Sequence, residues 1–67
     1  DNNRFKAVSH EHIDDGEDNG EEITVLVDKH TKVMYLQTEK YDNGVTVGLQ
    51  VMVDKDGKPL IYSGNVN

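Results

Sequence analysis

The chain has 67 residues, no cysteine, and a net charge of −6 from 13 acidic and 7 basic side chains. That length allows one domain with a marginal core, and the missing cysteines exclude disulfides and thiolate zinc sites. The acidic balance disfavours nucleic acid and anionic membrane as partners, and no apolar run approaches the roughly 20 residues of a membrane span. No basic-then-apolar signal segment is present, so a cytoplasmic protein is the default expectation.

Arg4 to Ile13 reads as a first strand, with Phe5, Ala7 and Ser9 facing one way and Lys6, Val8, His10 and His12 the other. Asp14 to Glu22 sets Gly16, Asn19 and Gly20 among acids and reads as an exposed loop. Ile23 to Asp28 is rich in β-branched residues and predicts a buried strand. A polar break at Asp28-Lys29-His30-Thr31 then precedes a returning strand from Val33 to about Tyr41. Asn43-Gly44 between two strand-like runs predicts a hairpin turn with positive φ at both residues.

Val45 to Val53 alternates strictly, with Val45, Val47, Leu49, Val51 and Val53 on one face. That face is expected to be buried. Asp54 to Gly57 predicts a three-residue hairpin loop with Gly57 left-handed. Pro59 suits an edge position, and Leu60 to Tyr62 a short last strand. No window carries the i, i+3, i+4 spacing of an amphipathic helix. The expected fold is all-β, a single domain over residues 1–67: an antiparallel meander of about five strands.

Thr24 to Leu36 (TVLVDKHTKVMYL) and Gln50 to Tyr62 (QVMVDKDGKPLIY) align without a gap. Two hairpins sharing turn chemistry explain this, and a pseudo-symmetric pair of basic turns is the alternative. Val25 and Val27 face one side and Leu26 the other. Val51 and Val53 likewise oppose Met52, with Met34 and Leu36 expected to join the second face. A single sheet this small covers one face with its own loops, not two, so completion by oligomerisation is expected.

Few residues point to chemistry. The acidic loop begins like a calcium loop at Asp15, Glu17, Asn19 and Gly20, but Leu26 stands where a bidentate glutamate belongs. His10 and His12 share a strand face, yet a metal site needs a further ligand such as His30, and none is assigned. Ser9 and Ser63 lie in no nucleophile motif, and no phosphate loop is present, so an enzyme is not expected. No cofactor is implied. A ligand site would draw on Arg4, Lys29, Lys32, Tyr35, Tyr41, Lys55 and Lys58, cations and rings suited to a small anionic molecule. Solubilising charge at turns and edges is the plainer reading of the same cations.

The stretches Val27 to Leu36 (VDKHTKVMYL), Gly48-Leu49 and Asp54 to Pro59 (DKDGKP) carry a resemblance. The segment from Ile23 to Pro59 resembles a family of short uncharacterised bacterial and phage proteins. Lys32 stands where that family prefers glycine, so the first turn is expected to be built differently. Gln50-Val51 replaces a Thr-Pro of the family pattern. The resemblance implies a small β fold and brings no activity.

The leading expectation is therefore a non-catalytic, homo-oligomeric binding protein. It would sequester a nucleotide-like ligand at subunit boundaries, as a phage-type sponge against host defence. The alternative is an inhibitor that sets its acidic segment, residues 11–22, against a basic partner surface.

Overall fold

The structure, a computed structural model, describes residues 3–14, 16 and 20–66. Four strands form one antiparallel sheet in chain order: β1 Phe5–Asp14, β2 Gly20–Asp28, β3 Met34–Tyr41 and β4 Val45–Val51. No helix among the described residues is long and apolar enough to cross a membrane. The last expected strand forms only as isolated bridges, Val33 with Ile61 and Val53 with Pro59. Main-chain bonds nonetheless pin it to the start of β3: Met34 N–H donates to Leu60 C=O, and Tyr62 N–H to Lys32 C=O.

The turns follow local chemistry. Asn43 and Gly44 both take the expected positive φ, 56° and 147°, but Tyr41 pairs with Val45, so the loop holds three residues and not the two of the turn in which that pair is required. Gly57 is left-handed at φ 80°, and Asp54 Oδ1 accepts from the N–H groups of Asp56 and Lys58. In the β2–β3 turn Asp28 Oδ1 accepts from His30 N–H in the same way. Here Lys32 adopts φ 69°. The lysine thus takes a left-handed conformation that glycine adopts more readily. The two repeated segments share this aspartate device, while their left-handed residues fall one alignment position apart.

Two readings of the first half need correction. Ala7 pairs with Leu26 but Ser9 with Val25, so Val8 is the extra residue of a bulge. The bulge resets the alternation, and His10 and His12 join the face of Phe5 and Ala7 while Ser9 leaves it. The acidic loop is also shorter than expected. Asp14 ends β1, and Gly20, Glu21 and Glu22 begin β2, because cross-strand pairs with β1 and β3 extend the ladder that far. Asp15 and residues 17–19 lie outside the described residues.

Cross-strand partners share a face, so the register sorts the sheet into two surfaces. One face collects Val25, Val27, Met34, Leu36 and Met52. Met34 and Leu36 therefore stand with Val25 and Val27, not opposite them, because β3 pairs Val27 with Met34 and Val25 with Leu36. This face is closed only around Val27 at the β2–β3 turn end: Val27 is 0% exposed, and with Val66 at 7% it makes up the buried apolar side chains among the described residues. The other face collects Phe5, Ala7, Leu26, Tyr35, Val45, Val47, Leu49 and Val51.

That second face is open. Val45, Val47 and Leu49 are 59%, 60% and 64% exposed, so the burial expected from their alternation does not occur within one chain. The reason is position: β4 is the sheet edge, and no second layer among the described residues lies over it. The extents of 38 × 33 × 16 Å describe a thin slab, whereas a second sheet would add about 10 Å. The radius of gyration, 13.7 Å, likewise exceeds the roughly 11 Å of a compact chain of this length.

Candidate functional site

The open face holds a shallow apolar cavity of ≈ 220 Å³ lined by Phe5, Leu26, Tyr35 and Leu49. Its floor is Leu26, which the register places between Ala7 of β1 and Tyr35 of β3. Phe5 and Tyr35 meet edge to face with ring centroids 6.0 Å apart. Arg4 stands over the Phe5 ring at 6.0 Å. The guanidinium is fixed by a fork on Asp28, Nε to Oδ1 and Nη2 to Oδ2, both 2.9 Å. Two parallel bonds of this kind orient an arginine better than a point charge could. The Arg4 hydrogen bond holds the Asp28 carboxyl well below the usual carboxylate range, and Asp28 in turn raises Arg4.

The cations divide by position. Arg4, Lys6, Lys29, Lys32, Lys55 and Lys58 lie at the end of the sheet that carries the β2–β3 turn, accompanied by Asp28, Asp54 and Asp56. The opposite end holds Lys40 with Glu11, Asp14, Glu21, Glu22, Glu39 and Asp42. The molecule is thus dipolar along its strands, a fact hidden by a net charge.

Of the expected ligand residues, the fold gathers Arg4, Lys29, Lys32, Tyr35, Lys55 and Lys58 at the basic end. Lys32 Nζ donates to Gly64 C=O at 3.5 Å, and Lys29 N–H donates to Arg4 C=O at 2.8 Å. Tyr41 is separated from them, about 20 Å along β3 from Tyr35. Its hydroxyl donates to Glu39 Oε2 at 2.7 Å, and that bond raises its pKa. Leu26 and Leu49, which join Phe5 and Tyr35 in the lining, were not foreseen as ligand residues. Only register could reveal them, because three strands bring them together.

His10 and His12 also share a face, at the acidic end, but both engage β2. His10 contacts Thr24 Oγ1 and Glu22 Oε1, each at 3.0 Å, and His12 Nδ1 meets Glu22 Oε2. His30 lies at the far end of the sheet. Among the described residues no group of three or more histidine or acidic side chains could hold a metal ion. The hydrogen bond to Glu22 raises His12, while those from His12 and then His10 lower Glu22. Gly20 makes room for this contact, since a Cβ there would lie 2.6 Å from His12 Cε1.

A family model, described as a family of unknown function (DUF6440), matches residues 4–62. The chain belongs to this family. The match runs from the arginine of the Arg4–Asp28 fork to Tyr62, so it takes in the whole sheet and the segment pinned to β3. No curated protein and no solved structure matches the chain.

Proposed function

We propose that this is a non-catalytic binding protein that acts as a homo-oligomer and holds a small anionic, nucleotide-like ligand at the boundary between copies. The observation that carries the reading is the open apolar face, with its aromatic cavity at the basic end of the sheet. A base or similar flat ring suits the cavity of Phe5, Leu26, Tyr35 and Leu49, and the neighbouring turn lysines suit its phosphates. The cavity is shallow, and a second copy laid over the face would supply the missing wall. In its finer form the protein is a sponge of phage type that withdraws a nucleotide signal from host defence by tight binding without turnover.

The test pairs light scattering on a sizing column with a thermal-shift panel of mono-, di- and cyclic nucleotides. A mass that is a multiple of 7.5 kDa is expected, together with a raised melting temperature for at least one nucleotide. The gain should be lost in a Lys55→Ala/Lys58→Ala variant. A monomer that no nucleotide stabilises would overturn the reading. The acidic end then favours the inhibitor alternative, in which charge reversal at Glu11, Asp14 and Glu21 abolishes capture of a basic protein.

A further inference from the structure

The two edges of the sheet differ in what they offer a neighbour. β1 carries Lys6, His10, Glu11, His12 and Asp14 and is bent by the bulge at Val8, devices that discourage strand pairing. β4 reads VTVGLQV, without a charge or a proline, and every residue of it is exposed. Met52 N–H donates to Met34 C=O at 3.0 Å. By alternation the even-numbered residues of β4 bond β3, and Val45, Val47, Leu49 and Val51 turn N–H and C=O outward.

We propose that this rim pairs antiparallel with β4 of a second copy about a twofold axis at Gly48, giving one continuous sheet. In that register Val47 lies opposite the partner's Leu49, and Val45 opposite the partner's Val51. These are hydrogen-bonded pairs, worth about eight main-chain bonds in all. Thr46 lies opposite the partner's Gln50 on the other face, and glycine meets glycine at the axis. Every outward residue of the strand finds a partner, whereas a shift by two residues leaves one unpaired. The apolar faces of both copies point the same way and merge.

Charge and area both favour a second copy as the occupant. The twofold axis reverses the strands, so the acidic end of each copy lies beside the basic end of the other. The chain exposes 5053 Å², against about 4,200 Å² for a compact monomer of its mass. The excess of about 800 Å² is what one partner of a standard interface covers. The pairing rests on the self-association proposed above but not on the ligand.

Cysteine pairing tests the register, since the chain has no cysteine of its own. Positions 46 and 50 of opposed copies form a non-hydrogen-bonded pair with Cα atoms about 4.5 Å apart, within disulfide reach. Like positions lie about 14 Å apart along the strands. Mild oxidation of mixed Thr46→Cys and Gln50→Cys chains should give the mixed disulfide several-fold over like-with-like products, read by non-reducing mass spectrometry. Equal yields, or none, would overturn the register. Val47→Pro removes only an outward N–H, a change tolerated on an edge. It should lower the mass in light scattering while the circular dichroism of the strands persists, and an unchanged mass would overturn the edge contact. A wild-type chain that is already monomeric refutes self-association itself. An oligomer without the mixed disulfide refutes only this edge.

Discussion

The two faces of the sheet both carry apolar side chains and have different fates. On the closed face Val27 is sealed, with Met34 and Leu36 half-buried beside it. On the open face Val45, Val47 and Leu49 remain in solvent although their alternation is the strictest in the chain. Alternation says that a face wants a cover; only the rest of the fold says whether the chain supplies one. Among the described residues Val27 and Val66 are buried, while Val45, Val47 and Leu49 have no cover.

Truncation on the two faces should expose this difference most strongly. Val27→Ala removes contacts from the sealed side and should cost about 2 kcal/mol. In dilute, dissociated protein Leu49→Ala should stay within about 0.5 kcal/mol of wild type. Urea melts at low and high protein concentration check both, and Leu49→Ala should become costly only where copies associate.

The next contrast sets Asp28, buried at the basic end, against the exposed Glu11 of the other end. Asp28 titrates below its unfolded value of 3.8, so its stabilising contribution is complete above that pH. It is lost as pH falls through the lower, folded value. Asp28→Asn should lower the melting temperature by several degrees at pH 7 and flatten the acid limb of the stability curve. The Glu11→Gln change should leave the melting temperature at pH 7 near that of wild type.

A smaller effect separates the two turns. Gly57 takes its left-handed conformation freely, whereas Lys32 at φ 69° carries a strain that glycine would relieve. Lys32→Gly should stabilise the chain by about 0.5–1 kcal/mol, less the contact of Nζ with Gly64. Gly57→Lys should destabilise it, as thermal melts would show.

The smallest effect concerns the β1–β2 clasp at the acidic end. His12 is raised above 6.5, so its contribution is complete below that pH and fades as pH rises through its folded value. Glu22 is lowered from 4.5, so its contribution is complete above that pH and fades as pH falls through its folded value. The clasp should be strongest between about pH 4.5 and 6.5, and Glu22→Gln should remove that local maximum from melting curves recorded across pH.

Much of the fold was legible in the residues. The β-branched run at Ile23 to Asp28, the Asn43-Gly44 turn and the left-handed Gly57 are local matters of side-chain shape and φ, and each stands where expected. The two-faced character of the strands was legible as well. The bulge at Val8 was not, since a soft alternation of small and polar residues gives no mark of an extra residue. Nor was the cavity, whose four lining residues come from β1, β2, β3 and β4 and meet only through register.

The sequence by itself therefore determined the strands, the turns and the need for apolar cover, because these depend on neighbours one to four residues apart. Tertiary structure alone decided which face is closed, which edge is open and how charge divides between the two ends. Those outcomes depend on pairing between residues distant in the chain, where one inserted position reverses the direction of every side chain that follows.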